Sequence, residues 1–124
     1  MNAVLLEMIL PEGILDDFDI TGFEKGNSEN YIYDKTLIIY LEEKKIIPPE
    51  YKAHISKASG FMDPRLIEDY PIRNMTVTLS VKRRRWDVLV DGKNLKVTRD
   101  LSILAQGTRM SAEYAAFLKE INRF

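Results

Sequence analysis

The sequence predicts an α+β fold: short, mostly antiparallel strands and hairpins between short amino-terminal helices and one carboxy-terminal helix. The clearest strand covers residues 76–81, where Val77, Leu79 and Val81 alternate with threonine and serine, the period-two pattern of a half-buried strand. The clearest turn is Asp91-Gly92, because such a pair between apolar runs accepts the positive φ of a tight hairpin. An apolar stripe at helical spacing in the last fifteen residues predicts the final helix.

The length and composition indicate one globular domain. A chain of 124 residues, 45% hydrophobic and 30% charged, is large enough to bury a core without a metal or a disulfide. The absence of cysteine excludes disulfides and cysteine-zinc sites. No apolar run is long enough to cross a bilayer, and the start lacks the basic region of a signal peptide. We therefore expect a cytoplasmic protein without a membrane partner.

The first third predicts two short helices followed by a hairpin. The first helix covers residues 3–10 and ends before Pro11, because proline disfavours helical backbone in the residue that precedes it. A second helix is predicted over residues 12–18. Strands over 20–25 and 31–41 pair around Gly26-Asn27-Ser28, whose residues suit a turn. The second of these strands is apolar on both faces, which is typical of a central strand, and a charged turn is predicted over 42–45.

The middle of the chain predicts a break between two strands. Weak strand candidates cover residues 54–61 and 66–70, and the strand over 76–81 then runs into a second β-rich segment over 86–90. Val81 shares a face with Arg83 and Arg85, whereas Trp86 and Val88 lie on the other face. One straight strand cannot bury both sets, so we expect a bend, a bulge or a strong twist near residues 83–85.

The last third predicts a returning strand, a loop and a capped helix. Leu95 and Val97 supply the returning strand after the Asp91-Gly92 turn. A loop follows over residues 100–109, with Leu101 directed inward. Ser111 is the predicted N-cap of the last helix, because its hydroxyl can accept a hydrogen bond from a free backbone N–H of the first turn.

The net charge of −1 conceals a strong polarisation along the chain. Residues 1–62 contain 11 acidic and 6 basic side chains, a net charge of −5, whereas residues 63–124 contain 8 acidic and 12 basic side chains, a net charge of +4. Between residues 73 and 109 there are nine basic and three acidic side chains. This asymmetry indicates an anionic partner for the second half.

The candidate functional site is an unbroken basic run, residues 82–85, which is followed by Trp86, the only tryptophan. We call residues 82–86 the basic-aromatic run. One interpretation is contact with DNA phosphates, with Trp86 packing beside an arginine stem or against a sugar. The other is structural: side chains of the run bridge to Asp or Glu of the acidic first half, since charge runs are common on protein surfaces. The predicted DNA-binding residues are Lys82, Arg83, Arg84, Arg85, Trp86, Lys93, Lys96, Arg99 and Arg109.

The sequence contains no motif that predicts catalysis. It has no Gly-rich phosphate loop, nucleophile elbow, zinc-protease helix or paired metal-ligand spacing. The single histidine, His54, has no recognisable nucleophile partner. An acidic patch formed by Asp16, Asp17 and Asp19 is interpreted as solvated charge rather than as a divalent-metal site, because Phe18 interrupts it. We therefore expect no catalytic residue, no cofactor and no metal.

Several segments together resemble a known family. The runs DYPIRNMTVTLSVKRRRW and LAQGTRMSAEYAAFLKEI, preceded by ILPEGILDDFDIT and IIYLEEKKIIPPEYK, resemble the amino-terminal region of bacterial insertion-sequence transposases of the Bacteroides type. In better-known relatives this region looks like a zinc ribbon, with paired cysteines after the basic strand. Here the corresponding segment reads DVLVDGKNLKV. The resemblance therefore implies a metal-free ribbon, in which apolar packing replaces the metal through Val88, Leu89, Leu95 and Val97.

The resemblance also implies a function and a division of the chain. It implies one transposase amino-terminal domain, with helices and the first hairpin in residues 1–45, a ribbon-like β region in 46–109 and a helix in 110–124. Such a domain would bind the DNA ends of a mobile element as an accessory part of a split or truncated transposase. Its catalytic acidic residues would lie on a separate downstream domain or polypeptide. The alternative is a protein-interaction module that docks the catalytic polypeptide or forms a homodimer.

Overall fold

A computed structural model describes residues 3–27, 33–101 and 109–122 and confirms the α+β class. Within these residues seven strands form two sheets, accompanied by three α-helices and one 3₁₀ turn at Pro49–Tyr51. The helices are α1 (Ala3–Ile9), α2 (Ile14–Asp17) and α3 (Ala112–Ile121). The strands are β1 (Phe18–Asn27), β2 (Lys35–Glu43), β3 (Ile55–Phe61), β4 (Arg65–Ile72), β5 (Met75–Lys82), β6 (Arg84–Val90) and β7 (Lys93–Thr98).

The larger sheet has the strand order β1-β2-β5-β4. Strand β1 pairs antiparallel with β2, and β4 pairs antiparallel with β5, as two local hairpins. Strands β2 and β5 pair parallel, which brings together segments that are distant in the sequence. The predicted central position of β2 is confirmed, since it has a neighbour on each side.

The main core lies on one face of this larger sheet. Leu79 is completely buried on β5, between Ile39 of β2 and Ile67 of β4. The amino-terminal segment covers this face, where Leu10 and Ile14 join the same buried cluster. The alternation read in residues 76–81 therefore corresponds to one buried face, as predicted.

The smaller sheet has the order β3-β6-β7, and all its pairings are antiparallel. The Asp91-Gly92 hairpin is confirmed: Asp91 has a φ of 49° and Gly92 a φ of 77°, the left-handed backbone that this type of turn requires. The predicted break near residues 83–85 is a change of sheet, because β5 ends in the larger sheet and β6 begins in the smaller one. Arg83 occupies the crossing point.

Two of the four residues expected to replace a zinc ion by packing do not pack in this way. Val88 is completely buried and Val97 is partly buried, but Leu89 and Leu95 are 42% and 44% exposed. Leu89 follows Val88 on a strand, so its side chain points to the opposite face of the sheet. Leu95 pairs with Val88 on the inner side but belongs to the edge strand β7.

The ends of several predicted elements differ from the structure or lie outside it. Strand β2 continues to Glu43, so the charged turn begins later than residue 42. The cap of α3 is confirmed, because Ser111 Oγ accepts a hydrogen bond from the Tyr114 N–H at 3.2 Å. The tip of the first hairpin, residues 28–32, and most of the loop over 100–109 lie outside the described residues. No helix in the described part of the chain is long and apolar enough to span a membrane.

Candidate nucleic-acid interface

Strand β6 divides the basic-aromatic run between two environments. Successive side chains of a strand point to opposite faces of the sheet. Trp86 and Val88 are 4% and 0% exposed on the inner face. Arg85 and Leu89 are exposed on the outer face. The run is therefore not one continuous patch, and its members have different physical roles.

On the inner face, the buried carboxylate of Glu43 joins the two sheets. Its side chain is completely buried at the end of β2. Glu43 Oε2 accepts a hydrogen bond from Trp86 Nε1 at 2.8 Å, and Oε1 accepts one from the Arg84 backbone N–H at 3.1 Å. A buried carboxylate is tolerated only with such partners. Glu43, which belongs to the predicted charged turn, thus accepts the hydrogen bonds that connect the two sheets. We call Glu43 and the residues that contact its side chain the joint.

Arg99 supplies the positive charge of this joint. Its Nε lies 3.4 Å from Glu43 Oε2, and its Nη1 lies 3.4 Å from Asp17 Oδ1. Its Nη2 donates a hydrogen bond to the Ile46 carbonyl at 2.6 Å. Arg99 Nε is buried without a hydrogen-bond partner, so its contact with Glu43 is an attraction between charges and not a well-formed hydrogen bond. Arg99 is 8% exposed overall.

Two arginines of the run, Arg83 and Arg84, are held by backbone carbonyls around the joint. Arg84 Nε donates to the Glu43 carbonyl at 2.9 Å, and its guanidinium lies 4.4 Å from the centre of the Phe61 ring, a cation–π distance. Arg83 Nη1 donates to the Arg99 carbonyl at 3.0 Å. Arg83 and Arg84 therefore have structural partners, but these are backbone carbonyls and not the Asp or Glu side chains of the structural interpretation. The predicted site residues held in or against the joint are Arg83, Arg84, Trp86 and Arg99.

On the outer face of the smaller sheet, three cations from three strands lie together. Lys57 of β3 and Lys96 of β7 both pair with Asp87 of β6, and Arg85 follows on the same face of β6. All three basic side chains are exposed. We call Lys57, Arg85 and Lys96 the basic face. Its single carboxylate, Asp87, accepts a hydrogen bond from Lys96 Nζ at 2.9 Å.

Lys57 was not among the predicted DNA-binding residues. It lies in β3, whose sequence signal was weak because Gly60 interrupts it. The strand nevertheless alternates, since Ser56 and Ala58 are partly buried whereas Ile55 and Lys57 are exposed. This alternation appears in the burial of the side chains and not in their hydrophobicity, so the sequence held no signal that could place Lys57 beside Arg85.

The remaining predicted residues lie apart from the basic face. Lys82 is exposed at the end of β5, paired with Glu42 in the larger sheet. Lys93 is exposed next to the turn, and its odd spacing from Lys96 places it on the other side of β7. Arg109 is exposed beside β4, where its carbonyl accepts a hydrogen bond from a backbone N–H of that strand.

A second buried carboxylate anchors the last helix to the larger sheet. Asp69 is 5% exposed, and Asp69 Oδ1 accepts a hydrogen bond from Ser111 Oγ at 2.7 Å. Burial raises the pKa of the Asp69 carboxyl above its usual value, although the hydrogen bond from Ser111 opposes this change. The same serine hydroxyl caps α3. Asp69 therefore has a structural role in holding α3 against β4.

Comparison with known proteins assigns no function to this chain, so the basic face is the main observation that bears on function. No protein family, curated protein or solved structure matches this chain. Within residues 3–27, 33–101 and 109–122, no group of three or more His, Cys, Asp or Glu side chains could hold a metal ion.

Proposed function

We propose that this protein is a DNA-binding accessory domain of a split or truncated insertion-sequence transposase and contacts the ends of its element through the basic face. The observation that carries the DNA contact is the position of Lys57, Arg85 and Lys96, exposed on three adjacent strands around one carboxylate. Exposed lysine and arginine side chains are attracted to phosphates and release counterions on binding. The transposase assignment is supported by the sequence resemblance, and catalysis belongs to a separate domain or polypeptide.

The joint behind the basic face supports this proposal. Strand β6 presents Arg85 outward while Trp86 is fixed inward by its hydrogen bond to Glu43. A strand held in this way presents its outward side chains at fixed spacing, which lowers the entropy lost on binding. The strand is held in place by the joint residues Arg84, Trp86 and Arg99 and by Arg83, which donates to the Arg99 carbonyl. The DNA contacts belong to the basic face, with Lys82, Lys93 and Arg109 outside it.

Neutralising the basic face should remove most of the DNA affinity. We expect the triple variant Lys57→Gln, Arg85→Gln and Lys96→Gln to lose two phosphate contacts, made by the lysines, together with the DNA contact of Arg85. The slope of log K against log salt should then fall by about 1.8, and affinity at 0.1 M salt should fall by at least about 60-fold. Fluorescence anisotropy with a labelled mixed-sequence duplex of 24 base pairs, at several salt concentrations, measures both quantities.

A matched triple variant separates local contact from overall charge. Lys25, Lys45 and Lys119 are exposed and lie outside the smaller sheet, so replacing them by glutamine changes the net charge equally. This control should retain nearly all the affinity of the unmodified protein. Equal losses in both triple variants would contradict the assignment to the basic face. Failure of the unmodified protein to bind either a mixed-sequence duplex or the ends of its element would overturn the DNA-binding proposal.

A protein-interaction module is the second candidate, favoured by apolar side chains on two helices. Met8 of α1 is 77% exposed, and Phe117 and Ile121 of α3 are 45% and 49% exposed. The Glu12 backbone N–H donates to Glu113 Oε2 at 2.8 Å, so the segment that follows α1 lies near the start of α3. If these side chains form one contiguous patch, that patch would be an association surface. This candidate predicts that the protein sediments as a dimer without DNA. The double variant Met8→Glu and Phe117→Glu should then sediment as a monomer. A protein that stays monomeric at high concentration and does not bind the catalytic polypeptide would count against this candidate.

A further inference from the structure

We infer that β6 is a base-reading strand: the basic face enters the major groove, Arg85 recognises a guanine, and Asp87 recognises a cytosine two base pairs away. This inference rests on the proposed DNA binding and identifies the residues that would select the sequence. It begins from an acidic side chain in the basic face, which attraction to phosphates does not explain. The centre of the basic face is a carboxylate, Asp87, which lies between Lys57 and Lys96.

The carboxylate has a defined position and partner. The Asp87 side chain is 21% exposed, and Lys96 Nζ lies 2.9 Å from Asp87 Oδ1. A carboxylate repels phosphates, but it accepts a hydrogen bond from the amino group of cytosine in the major groove. In the unbound protein Lys96 partly offsets this negative charge. The Lys96 side chain is 70% exposed, so it can turn to a phosphate when DNA binds. The arrangement therefore suits contact with a base edge better than contact with the DNA backbone.

The spacing along β6 matches the spacing of stacked base pairs. Arg85 and Asp87 are two residues apart on one strand, so their side chains share a face about 6.8 Å apart. Two base-pair steps of duplex DNA cover about the same distance, since each step rises about 3.4 Å. Arginine forms paired hydrogen bonds to the O6 and N7 atoms of guanine. A strand that follows the groove can thus place both side chains on base edges at once.

The distance between the two flanking strands is close to the width of the major groove. Lys57 and Lys96 lie on the strands that flank β6 and pair with the same residue, so their backbones are about 10 Å apart. The major groove is about 12 Å wide. With β6 directed at the groove floor, the flanking lysines reach the phosphates on its two sides. The central strand would then read bases while its neighbours position the domain.

The other residues of this face favour duplex DNA over a single strand. Leu89 continues the row of β6 and pairs with Ile55, and the two are 42% and 75% exposed. Apolar side chains in the major groove contact thymine methyl groups. Proteins that bind single strands stack successive bases mainly on aromatic rings, whereas the outward residues of β6 and their register partners on β3 and β7 include none.

Selection from a pool of randomised duplexes tests this inference. The unmodified protein should select sites with a guanine and a cytosine contact two base-pair steps apart. Arg85→Gln should change the preference at the first position to adenine, because glutamine forms paired hydrogen bonds to adenine. Asp87→Asn should do the same at the second position. Each change should alter the preference between the two bases by roughly 5- to 150-fold.

Lys57→Gln is the matched control, because its side chain is assigned to a phosphate. It should weaken binding to all sequences equally, lower the salt slope by about 0.9 and leave the selected sequence unchanged. DNA binding without any preference, or a preference unchanged in Arg85→Gln and Asp87→Asn, would overturn the base-reading strand but not the DNA-binding proposal. The absence of any DNA binding by the unmodified protein would overturn both.

Discussion

Replacing Glu43 by glutamine is expected to lower the free energy of unfolding by about 3–5 kcal/mol, because removing one partner of a buried ion pair leaves the other charge uncompensated. Arg99 would keep only Asp17 as a charged partner in the joint, at 3.4 Å. The amide of glutamine would also present an N–H₂ group where a carboxylate oxygen now accepts from Trp86 Nε1 or from the Arg84 backbone. The loss therefore combines an unpaired charge with an unsatisfied donor.

Urea denaturation monitored by tryptophan fluorescence measures this effect directly, since Trp86 is the only tryptophan and contacts Glu43. Glu42→Gln is the matched control. Glu42 precedes Glu43 on the same strand but points to the other face, where it is partly exposed and pairs with Lys82. Its replacement should cost less than about 1 kcal/mol. Similar small losses in both variants would show that the joint does not stabilise the fold.

Replacing Leu79 by alanine is expected to lower the free energy of unfolding by about 2–5 kcal/mol. Leu79 is completely buried on β5 and pairs with Ile39 and Ile67 of the neighbouring strands. Truncation removes buried apolar surface and leaves a cavity. Because β5 is hydrogen-bonded to a strand on each side, its backbone cannot easily shift to close that cavity. The same urea titration, followed by circular dichroism, reports the change.

Leu66→Ala provides the comparison for Leu79→Ala. Leu66 lies on the adjacent strand β4, but it points to the opposite face and is 56% exposed. The chemical change is identical, whereas the buried area lost is much smaller, so a loss under about 1 kcal/mol is expected. If both variants lost stability equally, the assignment of the core to one face of the larger sheet would be wrong.

The joint and the basic face meet on one strand, and this affects how the proposed function can be tested. Arg83 and Arg84 donate to backbone carbonyls of the joint, whereas Arg85 is exposed. Replacing all three arginines would weaken the fold and the surface together. A loss of DNA binding in that variant would then have two explanations. Variants of Lys57, Arg85 and Lys96 change only outward side chains.

Local patterns in the sequence determined several elements correctly. The alternation around Leu79 predicted β5, Asp91-Gly92 predicted the second hairpin, and Ser111 predicted the start of α3. Each of these depends on residues within a few positions of one another. Alternating burial, positive φ and capping are short-range effects, so the residues that cause them can be read directly from the chain.

The tertiary structure alone decided which basic residues are exposed and which are structural. The buried position of Glu43 depends on Trp86 and Arg99, which lie 43 or more positions further along the chain. The parallel pairing of β2 with β5, and the register that brings Lys57 beside Arg85, also join distant segments. The physical reason is that a charge repeated along one strand has the same local pattern whether it faces solvent or a buried carboxylate. Only the packing of the two sheets distinguishes the two cases.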